Sequence, residues 1–255
     1  MKYAICTVPA APVRKEPSHR TEMINQVLFG ELMQVLDTQD EWIHIKTIYD
    51  NYEGWLTHHL ITEVSEEIAQ TPPAYVATDL INPITLPHSL MHIPMGSSLT
   101  GYDTETRLLW DEQYKYHGTY RSIPQAFNED LLWRLIQGWL NAPYLWGGKT
   151  FMGVDCSGFV QVIFKVLGIS LLRDAYQQAT QGIDVLLTEA QTGDVAFFHN
   201  KDGRIIHVGI VLNGNSIVHA SGKVRIDKLT EQGIINTDNS KQTHMLTKIK
   251  RMISL

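Results

Sequence analysis

The sequence predicts an α+β protein in which small β-barrels precede a domain built helix first and strands after. Three observations predict it. Short strand-like runs punctuated by glycine fill residues 4–62, Pro72-Pro73 and Pro124 mark two boundaries, and clear helical periodicity begins only beyond the second. The expected units are residues 1–68, 73–122 and 124–255.

In the first unit, strands are expected at 5–8, 26–29, 31–36, 42–47 and 54–56, with Gly30 and Gly54 as punctuation. Trp42-Ile43-His44-Ile45-Lys46 alternates as a half-buried strand should, whereas residues 31–36 carry their apolar side chains in pairs. Runs this short and this close suit a small barrel of about 60 residues. Residues 74–122 read as a second, divergent strand-rich piece containing Leu90-Met91-His92-Ile93-Pro94-Met95-Gly96-Ser97. The third unit opens on a helix expected over 131–140, where Glu129 and Asp130 sit at the positive end of the helix dipole.

Composition narrows the function classes. Hydrophobic residues make up 44%, charged residues 19% and aromatics 9% of 255 residues, as in ordinary globular proteins. A formal net charge of -6 gives no electrostatic reason to expect nucleic acid or an anionic membrane as partner. No apolar run approaches the roughly 20 residues needed to span a bilayer. The N-terminal stretch is too short and interrupted for a secretory leader, so the expected location is cytoplasmic, or periplasmic or secreted if a leader has been removed. A monomer is expected. The two cysteines, Cys6 and Cys156, make neither a disulfide framework nor a zinc-ligand pattern. Cys6 reads as a small buried hydrophobe.

Cys156 stands in different surroundings. After Gly153-Val154-Asp155-Cys156-Ser157-Gly158, the residues Phe159, Val160, Ile163, Val166 and Leu167 recur at helical spacing, and Gly168 is a natural stop. The thiol therefore falls at the start of a buried helix with Asp155 as N-cap, a position expected to favour the thiolate. A core cysteine is the commoner fate of a lone thiol, so a base is required before chemistry is inferred.

Two histidines supply it. His207-Val208-Gly209-Ile210-Val211-Leu212 and Ser216-Ile217-Val218-His219-Ala220-Ser221 read as a hairpin across 213–215. A three-residue loop sets His219 opposite Gly209 and puts both histidines on one sheet face; a two-residue loop would separate them. Nucleophile, base and orienter then occur in a workable order. The remaining histidines, including His58-His59, read as structural.

The order Val13-Arg14, Gln26-Val27-Leu28-Phe29-Gly30-Glu31, Trp42 and Tyr52-Glu53-Gly54-Trp55-Leu56 resembles a bacterial SH3-like domain of the kind that precedes cell-wall dipeptidyl-peptidases. Tyr144-Leu145-Trp146-Gly147-Gly148, Asp155-Cys156-Ser157-Gly158, Gly193-Asp194-Val195-Ala196-Phe197-Phe198, His207-Val208-Gly209-Ile210 and His219 resemble the NlpC-type cysteine peptidases, a compact papain-like family. The resemblance implies an NlpC-type catalytic domain behind two SH3-like barrels, with Cys156 as nucleophile, His207 as general base and acid, and His219 orienting it. It implies oxyanion support from the Cys156 amide and the Tyr144 hydroxyl. Trp146 is expected to pack, and 193–198 to form a core strand without chemistry.

Members with SH3-like domains cleave γ-D-glutamyl–diamino acid bonds in stem peptides that carry a free N-terminal L-Ala. Resemblance therefore implies an ammonium pocket from Asp155, Tyr52 and an acid, Glu22 or its competitor Glu53, with Ser157 and Asp174 also near substrate. The stretch Leu172-Arg173-Asp174-Ala175 departs from the family's Pro-Arg-Asp-Ser, which leaves open the choice between diaminopimelate and lysine. No cofactor or metal is implied. A non-catalytic wall-peptide binder and an acyltransferase or amidase using the same cysteine are the alternatives.

Overall fold

The computed structural model describes residues 1–123, 127–213 and 215–252. The expected boundary residue Pro124 lies outside them. The chain forms two compact units, Met1–Gln125 with Trp146–Thr150, and Ala126–Leu145 with Phe151–Leu255.

The first unit opens with β1 (Tyr3–Cys6), β2 (Ala10–Arg14), β3 (Met23–Leu28), β4 (Leu32–Gln39), β5 (Trp42–Thr47), β6 (Glu53–Thr57) and β7 (Ile61–Val64), followed by α1 (Glu66–Gln70). These strands form one sheet in the order β3-β2-β6-β5-β4-β1-β7. Alternation drives its core: Ile43 and Ile45 of β5 turn inward with Ala4, Val13, Val27, Met33 and Leu56. Cys6 lies within this core, and burial pushes its thiol up to about 12. The strand expected at 31–36 is longer, because β4 runs on beside β5 to the turn at Asp40, whose φ is +50°.

The strand-rich continuation comprises β8 (Tyr75–Ala77), β9 (Ile81–Leu86), β10 (Ser89–Pro94), β11 (Lys115–Tyr116) and β12 (Tyr120–Ser122), arranged as β10-β9-β11 and β12-β8. Its core of Ala77, Ile84, Ile93, Leu99 and Tyr116 includes Phe29, which follows β3 of the preceding sheet. Residues 146–150 complete this unit. Gly147 has φ +75°, and a Cβ there would stand 2.6 Å from the Met23 carbonyl, so only glycine fits. Two residues on, the Lys149 amide donates to Gln26 Oε1 at 2.7 Å and its ammonium is buried 3.3 Å from Glu31. The expectation that Trp146 packs is corrected: the residue is 57% exposed, at the turn made by Gly147, while Gly147 to Lys149 after it are buried.

The second unit begins with α2 (Glu129–Trp139), capped by Asn128 Oδ1 accepting from the Leu131 amide at 2.7 Å. Next come β13 (Lys149–Thr150), which belongs to the first unit, β14 (Gly153–Val154), α3 (Cys156–Val166) and α4 (Ala175–Gln178). The strands that follow are β15 (Ile183–Val185), β16 (Val195–His199), β17 (Ile205–Leu212), β18 (Ser216–Ser221), β19 (Lys223–Thr230), β20 (Gly233–Ile235) and β21 (Gln242–Arg251). They run in the order β15-β21-β16-β17-β18-β19-β20, and a β20–β21 pairing closes six of them into a barrel. Closure removes the exposed edges that a six-stranded open sheet would carry. Phe198, Val211, Ile217, Leu229, Ile234 and Ile249 form its core.

Every residue of α3 is buried, including Gln161, whose side-chain amide donates to the Leu171 carbonyl at 3.0 Å. The helix ends where expected. Gly168 adopts φ +85°, and the Ile169 amide donates back to the Phe164 carbonyl at 2.9 Å. α3 packs on β17 and β18, which brings the cysteine of one element beside the histidines of the others.

Candidate functional site

Cys156 is the first residue of α3, and Asp155 caps it, with Oδ1 accepting from the Gly158 amide at 2.6 Å. The thiol is 5% exposed and lies against the Val208 backbone amide, the residue after His207. The Tyr144 hydroxyl shares this neighbourhood: burial raises its pKa, and the nearby Cys156 and Asp155 raise it further. It therefore stays protonated and can donate a hydrogen bond.

The hairpin has the odd-loop register. His219 pairs with Gly209, Val218 with Ile210 and Ile217 with Val211. His207 and His219 accordingly share one face, and their rings meet, Nε2 of His207 lying 2.7 Å from Nδ1 of His219. Nε2 of His219 in turn lies 3.0 Å from Oδ2 of Asp227, on β19. Asp227 pairs with Ile217, so it stands diagonally across from His219 on the same face. Its carboxylate also accepts from Arg225 Nη2 and from the amide and hydroxyl of Thr237, each at 2.9 Å. Burial alone would raise its pKa, but these bonds, led by His219 and Arg225, outweigh it and hold the group well below the usual carboxylate range.

Those acceptors fix the protons. An ionised Asp227 can only accept, so His219 presents a hydrogen on Nε2 to it, and with a single ring proton it offers Nδ1 as acceptor. His207 must then donate from Nε2, which leaves its Nδ1 as the basic nitrogen. The three histidines His207, His219 and His244 have ligand atoms within 4.8 Å of one another, near enough to share an ion. Metal binding by His219, however, would break the bond to His207 or the bond to Asp227, so the arrangement suits a proton relay better than a metal centre.

The thiol's electrostatics differ from expectation. A helix start predicts a lowered pKa, yet burial pushes Cys156 up to about 12, with Asp155 adding to the rise. Hydrogen bonding from the Val208 and Ser157 amides and the Arg173 charge oppose it without prevailing. Burial likewise drives His207 well below its ordinary 6.5, helped by His219 and His244. Both shifts disfavour the charged forms, the thiolate of Cys156 and the imidazolium of His207.

Asp155 is held by a residue the sequence reading passed over. Arg173 grips it bidentately, Nη1 to Oδ1 at 3.0 Å and Nη2 to Oδ2 at 2.6 Å, and also donates to the Ser157 hydroxyl at 2.9 Å. Arg173 and Asp155 are 1% and 5% exposed. An ammonium bound by Asp155 would share the carboxylate with a guanidinium. Asp174 is the N-cap residue before α4, its amide donating to Gln177 Oε1 at 3.0 Å. In the other unit, the Tyr52 hydroxyl donates to the Ile24 carbonyl at 3.5 Å, Glu22 is exposed, and Glu53 pairs with Lys46 at 3.4 Å.

Residues 141–242 match the NlpC/P60 family. The chain carries an NlpC/P60 cysteine-peptidase domain. Residues 13–60 match the bacterial dipeptidyl-peptidase SH3 domain, so an SH3-like module precedes the NlpC/P60 domain. Among similar proteins, the gamma-D-glutamyl-L-lysine dipeptidyl-peptidase of Bacillus subtilis is 29% identical over 236 residues, covering 81% of this chain and 76% of the relative. Dipeptidyl-peptidase 6 of Lysinibacillus sphaericus is 25% identical over 262 residues, covering 90% of this chain and 92% of the relative. The crystal structure of an NlpC/P60 family protein from Bacillus cereus superposes with a TM-score of 0.79 over 99% of this chain and all of that one, at 20% identity, which speaks for the fold. Asp227 and Arg173 fall inside the NlpC/P60 match, and His244 lies beyond its end.

Proposed function

We propose that the chain hydrolyses peptidoglycan stem peptides at the γ-D-Glu–diamino acid bond, requiring a free N-terminal L-Ala. The observation that carries the proposal is the chain of contacts Asp227–His219–His207, with the buried Cys156 thiol lying against the amide of Val208, the residue that follows His207. The substrate class rests on relatives named for gamma-D-glutamyl-L-lysine dipeptidyl-peptidase activity that span most of this chain.

In the proposed mechanism, the Cys156 sulfur attacks the γ-carbonyl carbon while its proton passes to Nδ1 of His207. The Cys156 amide and the Tyr144 hydroxyl donate to the oxyanion that forms. Collapse breaks the C–N bond, and His207 returns the proton to the departing amine of the diamino acid. Water, deprotonated by His207, then opens the thioester and frees L-Ala-γ-D-Glu. Through both steps Asp227 keeps His219 in the tautomer that receives the His207 proton edge. Substrate roles for Asp155, Ser157 and Asp174, and for Tyr52 and Glu22, are proposed on the family resemblance.

The test incubates L-Ala-γ-D-Glu-diaminopimelate and its L-Lys counterpart with wild type and with Cys156→Ala. Release of the diamino acid by wild type alone supports the reading. No release, or equal release by both proteins, sinks it. N-acetylated peptide should not be cleaved; equal turnover would remove the free-amine requirement.

A further inference from the structure

His207 has a second ring against it that the relay does not use. His244, on β21, stacks on it with centroids 4.0 Å apart and planes 21° from parallel. β16 runs between β17 and β21, and its Phe198, which pairs with His207, closes a further side at 5.9 Å. His219 meets His207 nearly edge-on, at 85°. One hydrogen bond at Nε2 holds an imidazole at a single point and leaves it free to pivot about Cβ–Cγ. A parallel ring against its face removes that freedom.

From this geometry we infer that His244 is a positioning residue for His207, its stacked ring holding the imidazole in the plane that directs Nδ1 at Cys156. The inference rests on the catalytic reading above and adds a residue outside the matched segment 141–242. The stack also suits the chemistry. Burial, with His219, keeps His244 neutral down to about 4, so it adds no charge beside a ring that must accept a proton. A neutral aromatic face tolerates the imidazolium that forms during attack. Its own Nδ1 lies 2.9 Å from the Thr243 hydroxyl, outside the relay.

The experiment compares His244→Ala, His244→Gln and His244→Phe with wild type on the L-Ala-γ-D-Glu peptides. It also follows the downfield ring proton of the His207–His219 bond by NMR. Loss of the stack should lower kcat about tenfold in the Ala and Gln variants with KM within about twofold, a ring tilt being a smaller error than the ~1 Å misplacement that costs about a hundredfold. The ring proton should broaden in both and sharpen again in His244→Phe, which should recover most of the lost kcat. Unchanged kcat and a sharp proton in a folded Ala or Gln variant would overturn the inference. So would a Phe variant as impaired as Ala. If wild type cleaves none of these peptides, the substrate proposal fails, and the ring-proton comparison still decides the role of His244.

Discussion

Nε2 of His219 lies 3.0 Å from the Asp227 carboxylate, and that contact determines where each proton of the site resides. Replacing Asp227 by Asn keeps the shape but offers an amide that can donate as well as accept. His219 could then carry its hydrogen on Nδ1 and present it to His207, removing the acceptor. Asp227→Asn is expected to lower kcat by at least about a hundredfold with little change in KM, because the defect is in proton placement. Steady-state kinetics check this, and a loss confined to KM would contradict the relay.

Cys156 is expected to be a protonated thiol in the free protein. Burial pushes it up to about 12 and pushes His207 well down, so no thiolate–imidazolium pair forms near neutrality. Alkylation of Cys156 by iodoacetamide should be slow from pH 5 to 8 and accelerate only in alkaline solution (window from the thiol's raised pKa). A fast plateau beginning on the acid side of neutrality would show an ion pair instead.

How much of this was legible in the sequence divides along physical lines. Cys156 at a helix start and the shared face of His207 and His219 follow from local periodicity and hairpin parity, and the observed register agrees. Asp227 is not legible because it sits in a strand where charged and apolar residues alternate, and there a charge usually points to solvent. Only pairing with β18 reveals that its face is the buried one. His244 comes from a strand that reaches His207 across β16, an arrangement set by barrel closure that no local pattern encodes. The thiol's raised pKa is not legible in the sequence for a similar reason. A helix dipole is local and readable, whereas desolvation depends on everything packed around the sulfur.

Arg173 and Asp155 form a buried pair whose loss should be felt in stability. Arg173→Met leaves Asp155 in the interior without its guanidinium, and breaking one side of such a pair costs about 3–5 kcal/mol. The Ser157 hydroxyl loses a donor at the same time. Denaturant unfolding should show a lower midpoint with an unchanged slope. A variant as stable as wild type would mean that the Asp155 charge is satisfied by other groups.

Acid sensitivity follows from two histidines, His207, which is buried, and His244, which is half-buried. His207 and His244 both have folded-state pKa values below their ordinary 6.5, driven chiefly by burial, with His244 near about 4. The unfolded chain therefore takes up protons below about pH 6.5 that the folded chain refuses, so stability falls as pH drops through that window. Asp227 has the opposite site chemistry but the same direction: its depressed carboxyl stabilises the fold above the ordinary carboxylate range and loses that contribution as pH falls further. Tm should decline from pH 6.5 toward 4 in wild type, and decline less steeply in His244→Phe, which removes one of the two refused protons. If the two slopes coincide, His244 is already exchanging protons with solvent as an ordinary surface histidine does.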